Sequence, residues 1–262
     1  MFKRGATKKA QIMSLEDAVK TYIKDGMMVA FGGFTGFNRN PSSVAWQMVR
    51  QGNKNIHCID RHGGICTWLL NSVGALSVYE TDWMGWGEMA GKLDVNMERT
   101  YKAGKMVLED YSHGAMAMRF LAGAIGAPFI PYYAPQGSDL YNPKYDALGK
   151  AGKRDGKNVK IPRKKFMEMA DPFFNTGNVI LLPAARCDVA VIHATQCGQK
   201  GTARWRGVGT IDKEICFAAD KVIVVAEEIV AESELRKMPE SNQIPYFVVD
   251  AIVENPWGAY PS

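Results

Sequence analysis

Apolar residues fall into two alternating rhythms along this chain. In SLEDAVKTYIKDG, positions Leu15, Ala18, Val19, Tyr22 and Ile23 share one helical face. Ser14 stands as N-cap with Asp17 three residues on, and Gly26 closes the segment, so an amphipathic helix is predicted. MMVAF (27–31) follows as an unbroken apolar run, the pattern of a strand buried on both faces. After the turn GGFTG, Asn40 and Pro41 read as N-cap and first helical residue of a helix to about Gln51, with Gly52 as its stop.

The unit then repeats. NIHCID (55–60) reads as strand, GICTWLLNS as helix, LSVYETDW as strand and LDVNMERTYKAG as helix. KMVLEDY is the next strand, SHGAMAMRFLAGAIG a helix opened by Ser112, and PFIPYY a short strand. NVILLPA, CDVAVIHATQ, KVIVVAEEI and IPYFVVDAIVE complete the set of apolar runs. Strands alternating with helices of about 10–15 residues predict an α/β fold with an open, mostly parallel, doubly wound sheet. No internal repeat or linker divides the chain, so residues 1–262 are expected to form a single domain. An irregular, basic excursion interrupts it at about 139–177. Its centre, KAGKRDGKNVKIPRKK, carries eight basic residues and one Asp, which suits either a solvated surface loop or a loop embracing an anionic cofactor.

Composition adds limits. At 262 residues, 47% hydrophobic and 23% charged, the chain is long enough for one large α/β domain. A net charge of +5 attracts phosphorylated cofactors but is too weak to argue for nucleic acid. The N-terminal MFKRGATKKAQ has no apolar stretch behind it, and no run reaches the roughly 18 apolar residues of a spanning helix. Five scattered cysteines without a C-x-x-C pair suggest a reduced, cytoplasmic protein. Only His62 and Cys66 are spaced to share a metal, and nothing completes that set, so no metal is expected.

The candidate chemistry lies at strand ends. Gly32, Gly33, Phe34 and Thr35 follow the first buried strand, where ligands bind in open α/β sheets. Neither G-x-G-x-x-G nor the G-K-[ST] of a phosphate loop is present, so a nucleotide cradle is disfavoured. The second strand ends in Asp60, Arg61 and His62 with Gly63 and Gly64 behind. The third leads to Glu88 among glycines and tryptophans, a setting that either raises its pKa by desolvation or leaves it solvated. The fourth carries Glu109 and Asp110, and Gln136, Gly137 and Ser138 follow the next. In a parallel sheet such ends share one edge and form a cleft. No G-x-S-x-G elbow is present, and Cys66 reads as a small core residue rather than a nucleophile.

These residues resemble the A-type subunit of the type I CoA-transferases, in particular the glutaconate CoA-transferase group. The resemblance is carried in order by DGMMVAFGGFT, AGKMVLEDYSHG, PQGSDL, CDVAVIHATQ, GTARWRG, AADKVIVVAEEIV and VVDAIVENPWGAYPS, from about Ser14 onward, weakening only in the basic middle. The superfamily's first turn continues with G-x-P, whereas Asn38 stands here at the Gly position and the proline comes one later, at Pro41, the glutaconate-like form.

The resemblance implies a CoA-transferase (NagB/RpiA-like) fold and half of a heteromeric enzyme. CoA would be a substrate, no cofactor would be permanently bound, and a B-type CoA-transferase subunit would complete an A2B2 or A4B4 assembly. The family's nucleophile is a glutamate in a Gly/Asn-rich turn of that B-type partner; the one Glu-Asn pair here, Glu254-Asn255, runs into Pro256. Backbone N–H groups of Gly32, Gly33 and Phe34, and of Gly63 and Gly64, are then expected at developing oxyanions. Arg39 or Arg61 is expected to clamp a distal carboxylate. Thr35, Gln136, Gly137 and Ser138 join the substrate and CoA site. Glu88 matches a serine of the glutaconate enzyme. Relatives that decarboxylate a CoA ester, or hydrolytically open a ring on one, imply an alternative with Glu88 or Glu109 as acid or base. A ligand sensor is a third reading, against which no helix-turn-helix is attached.

Overall fold

The computed structural model describes residues 9–85, 94–133 and 137–262. Its elements run β1 (Gln11–Ile12), α1 (Leu15–Tyr22), β2 (Met28–Phe31), α2 (Ser42–Arg50), β3 (Ile56–Ile59), α3 (Ile65–Ser72), β4 (Leu76–Thr81), α4 (Val95–Lys102), β5 (Val107–Asp110) and α5 (His113–Ala124). The second half contains β6 (Phe129–Tyr132), α6 (Ala147–Lys150), β7 (Met167–Ala170), β8 (Asn178–Pro183), β9 (Cys187–Gly198), β10 (Ala203–Arg204), α7 (Asp212–Ala218), β11 (Ala219–Val230), α8 (Glu232–Arg236) and β12 (Ala251–Glu254).

The main sheet has the order β1-β12-β11-β9-β2-β3-β4-β5, every neighbour pair parallel, with β10 antiparallel on β9. The unbroken apolar runs explain its place at the centre. Because successive side chains alternate between faces, Val29, Phe31, Val189 and Val191 meet α1, α2 and α3 through Val19, Met48 and Leu70. Their neighbours Met28, Ala30, Ala190 and Ile192 meet α5 and α7 through Met116, Phe120 and Ile215 on the other face. The sheet is doubly wound, as predicted.

Local signals decide several boundaries. The Ser14 hydroxyl accepts the Asp17 N–H at 3.0 Å and starts α1; Ser112 accepts from Ala115 N and starts α5. For α2 the cap is Pro41 rather than Asn40, because the Asn40 amide donates back to the Thr35 carbonyl at 2.7 Å. IPYFVVDAIVE is strand only over its last part, since Tyr246–Val248 forms a 3-10 turn after Pro245.

Two expectations are corrected. PFIPYY and NVILLPA leave the parallel sheet: β6, β8 and β7 form a separate antiparallel sheet in the order β6-β8-β7. A short apolar run does not reveal which partner it pairs with, and here Ile180 and Leu182 of β8 join the core from outside the main sheet. The 139–177 excursion is also more ordered and less solvated than its charge suggests. It contains α6, β7 and two 3-10 turns, and several of its cations point inward. Lys165 bridges Glu109 at 2.8 Å, Arg154 bridges Glu109 at 3.2 Å and Asp146 at 2.7 Å, and Lys160 pairs with Asp188 and Asp220.

All five cysteines are buried thiols. Among the described residues, no helix is long and apolar enough to cross a membrane.

Candidate active site

The C-terminal ends of β2, β3, β4 and β5 share one edge of the sheet, and the glycine turns there are pressed together. Gly33 adopts φ 100°, and a Cβ on it would lie 2.7 Å from the Asn38 carbonyl oxygen. A Cβ on Gly64 would lie 2.0 Å from Asn40 Oδ1 and 2.5 Å from the Thr35 oxygen. Gly63 is equally tight against the Tyr79 hydroxyl. The absence of side chains therefore serves turn-on-turn packing, leaving a cavity of about 10 Å³ among Gly32, Gly33, Asn40, Asp60, His62 and Gly64. That volume admits about one water-sized sphere.

The N–H groups of the first turn are not available to a developing oxyanion in this arrangement. Gly32 N donates to Val191 O at 2.8 Å, Gly33 N to Asp212 Oδ1 at 2.9 Å, and Phe34 N to Asn38 O at 2.9 Å. The physical reason is local: the turn closes as a small hairpin, and the start of α7 supplies a buried carboxylate beneath it. Thr35 sits in the left-handed region at φ 52°, its carbonyl held by Asn40.

Arg39 is likewise not a free clamp. Its guanidinium pairs with Asp212 at 3.1 Å, donates to Val208 O at 2.8 Å and His193 O at 3.2 Å, and stacks 4.5 Å from the Trp205 ring centroid. With the pair buried, Arg39 ties the first turn to the 205–212 segment. Sequence reading missed Asp212 and the role of Trp205; the only signal was the matched string GTARWRG, which gave no role. Arg61 stays at the rim, its Nε 3.6 Å from Asp82 Oδ2 and its side chain partly exposed.

Three further groups meet at this rim. His62 stacks on Phe34 with ring centroids 4.8 Å apart and meets His113 edge-on at 4.0 Å. Asp82 accepts the His62 backbone N–H at 2.7 Å and lies 3.2 Å from His62 Nδ1. His113, at the start of α5, stands 3.8 Å from Asp82 and is half exposed. No sequence spacing announces this cluster, because its members sit after three different strands.

Beside it opens a cavity of about 690 Å³ at the ends of β4 and β5, lined in part by Trp83, Leu108, Asp110, Tyr145 and Lys165. That volume lies within the range of about 300–1,000 Å³ usual for small-molecule sites. Burial raises the Asp110 carboxyl above its ordinary range, Lys165 opposes this, and Asp82 adds to it. Asp60, fully buried at the end of β3, is pushed to about 7 by desolvation, with Asp82 adding and hydrogen bonds from Tyr79 and Thr81 opposing.

The remaining predicted residues divide clearly. Glu109 does not face this cavity; it is buried, ion-paired to Lys165 and Arg154, and accepts the Leu148 N–H at 2.8 Å. Gly137 and Ser138 follow β6 of the small sheet, and Ser138 caps the Asp139–Tyr141 turn, whose Asp139 and Leu140 line the large cavity at the ends of β4 and β5. Glu88 and Gln136 lie outside the described residues. The Cys66 thiol is pushed well up by burial, first by desolvation and then by Asp60.

Comparison with known proteins gives one consistent answer. The profile of the coenzyme A transferase family matches residues 12–255. The A-type subunit of glutaconate CoA-transferase from Acidaminococcus fermentans is 33% identical over 97% of this chain and 77% of its own. The crystal structure of glutaconate coenzyme A-transferase from the same organism superposes with a TM-score of 0.88 at 32% identity, over 97% of this chain and 78% of the other. The A-type subunit of 3-oxoadipate CoA-transferase from Pseudomonas knackmussii is 30% identical over 97% of this chain and 82% of its own. The crystal structure of a variant of the decarboxylase AibA/AibB aligns with a TM-score of 0.76 at 27% identity, over 97% of this chain and 86% of the other.

Proposed function

The chain belongs to the coenzyme A transferase family, and we propose that it works as the A-type subunit of a heteromeric enzyme moving CoA from an acyl-CoA to a carboxylic or dicarboxylic acid. The observation that carries this reading is the 33% identity to the corresponding chain of glutaconate CoA-transferase along 97% of this one. A carboxylate supplied by the B-type partner attacks the thioester carbonyl, forming an acyl–glutamyl anhydride and releasing CoA thiolate. The thiolate attacks the glutamyl carbonyl, giving an enzyme–CoA thioester and the free acid. The acceptor carboxylate then repeats the sequence in reverse. The relay divides one difficult exchange into easier steps.

This chain supplies the walls. The 690 Å³ cavity receives the acyl or pantetheine portion, with apolar lining from Trp83 and Leu108 and a cation from Lys165. Arg61 at the rim is the guanidinium placed to meet a distal carboxylate, while Arg39 and Asp212 hold the first turn in shape. The N–H groups of Gly63 and Gly64 remain the backbone candidates for oxyanion contacts. Glu88, Thr35, Gln136, Gly137 and Ser138 belong to the same proposal as residues bordering the bound ester.

The likeness to a decarboxylase supports a second reading, CoA-ester decarboxylation or hydrolysis on the same scaffold. With Glu109 ion-paired, Asp110 is the carboxylate of β5 that lines the cavity and takes the acid–base role in this reading, with Glu88 kept as the other candidate from the sequence. Co-expression with a B-type chain, followed by incubation of the complex with a dicarboxylyl-CoA, separates the two. Transfer requires an added acceptor acid and exchanges label between free and esterified acid. Product without any acceptor supports decarboxylation or hydrolysis, and no turnover under either condition overturns both.

A further inference from the structure

His62, Asp82 and His113 converge between the first turn and the large cavity, and neither CoA transfer nor the decarboxylase reading uses them together. We propose that these three side chains bind a divalent transition-metal ion of the zinc class.

The donor set carries the proposal. The three side chains place one ligand atom each within 4.8 Å of one another. Tetrahedral zinc with bonds of about 2.0–2.1 Å keeps neighbouring donors roughly 3.3 Å apart. Asp82 turns a different oxygen toward each imidazole, Oδ1 lying 3.2 Å from His62 Nδ1 and Oδ2 3.8 Å from His113 Nδ1. Closing the set needs only a small rotation of His113, whose side chain is 45% exposed at the first residue of α5 and free to turn.

Asp82 is prepared for the role. Its side chain is fully buried, and its Oδ1 is fixed by the His62 backbone N–H at 2.7 Å. Its Oδ2 has no hydrogen-bond partner, an expensive state for a buried carboxylate oxygen. Arg61 Nε lies 3.6 Å away, outside hydrogen-bond reach, on a side chain that can swing to solvent when a dication replaces it. Phe34 stacks on His62 with ring centroids 4.8 Å apart, which holds that imidazole in place, while Trp83 stands 6.4 Å from His113 edge-on and leaves it open to solvent.

Two imidazoles and one carboxylate suit zinc, cobalt, nickel or iron(II) rather than magnesium or calcium, which prefer all-oxygen sets. Three protein ligands leave a position open at the rim for water or a carboxylate. The site does not depend on the transfer reading, and metal uptake and CoA transfer are measured separately on the same samples.

The test uses the full-length chain, free of any polyhistidine tag, alone and with its B-type partner, stripped with chelator and titrated with Co²⁺ and then Zn²⁺. One equivalent of Co²⁺ is expected to bind with visible d–d bands and to be displaced by Zn²⁺. His113→Ala should weaken uptake by at least about tenfold, the lower end of what losing a mere orienting neighbour costs. His113→Cys should retain uptake and add a thiolate-to-cobalt charge-transfer band. Because His113 is half exposed, both variants should keep the wild-type circular dichroism spectrum. No uptake in excess metal, or uptake unchanged in His113→Ala, overturns the proposal.

Discussion

Gly33 shows how little freedom the first turn has. Its φ of 100° is unfavourable for any other residue, and a Cβ would meet two backbone oxygens within 3 Å. Gly33→Ala is expected to destabilise the fold by roughly 1–3 kcal/mol or more. Gly52→Ala, at φ 72° with nothing within 4 Å, carries only the conformational part and should cost less. Urea unfolding of the two variants checks the order. Asp60 gives a residue-scale prediction in pH. Its pKa is raised from 3.8 to about 7, so the folded state holds its proton more tightly than the unfolded chain. Stability from this group is therefore complete below pH 3.8, declines as pH rises toward 7, and is flat above. Asp60→Asn cannot ionise and should be more stable than wild type at pH 8 by about 4 kcal/mol, at about 1.4 kcal/mol for each pH unit between 3.8 and about 7, the difference vanishing near pH 4. Equal stability curves for the two proteins would remove Asp60 as a neutral buried acid.

At the scale of elements, the basic excursion is a strap rather than a loop. Glu109 on β5 receives Lys165 and Arg154 and the Leu148 N–H, so one buried carboxylate fastens both ends of the segment's basic centre to the sheet. Glu109→Gln leaves two largely buried cations facing a neutral amide. The expected loss is about 3–5 kcal/mol, the cost of breaking a buried pair on one side. Limited proteolysis within 139–177 should accelerate in the variant while cleavage elsewhere does not. A proteolysis pattern identical to wild type would mean that the strap is held by other contacts. The strap also marks where sequence reading stopped. Helices and central strands were legible because their periodicity and caps are local: Ser14, Ser112 and the unbroken runs of β2, β9 and β11 say what they are. The cations of the strap were not, because periodicity records neither which Lys finds a buried acid nor that β6 pairs with β8. The candidate site divides in the same way. The glycines of the two turns were visible as a motif, whereas Asp82, His113 and Asp212 are joined to it only by parallel strand ends and by the start of α7.

The whole molecule is held across its layers by one charged cluster. Arg119 of α5 is almost wholly buried, donates to Glu80 of β4 at 2.9 Å and to the carbonyl of Pro183 on the small sheet at 3.2 Å, and lies 4.1 Å from the Tyr111 ring centroid. His57 of β3 meets the other Glu80 oxygen at 2.9 Å. The guanidinium of this helix thus joins the main sheet, through Glu80, to the small sheet, through Pro183. Desolvation alone would raise the Glu80 pKa, but Arg119 and then His57 outweigh it and bring it from 4.5 to about 2. A carboxylate with a depressed folded pKa stabilises above its unfolded value, so this contribution is complete above pH 4.5 and is lost as pH falls toward 2. Glu80→Gln should therefore be less stable than wild type at pH 7, by about 3–5 kcal/mol if Arg119 is left unpaired. The gap should narrow between pH 4.5 and 2, because the wild type loses there what the variant never had. Thermal melts of both proteins across that window decide the matter. Parallel slopes would mean that some other carboxylate carries the acid transition and that Glu80 and Arg119 contribute packing rather than charge.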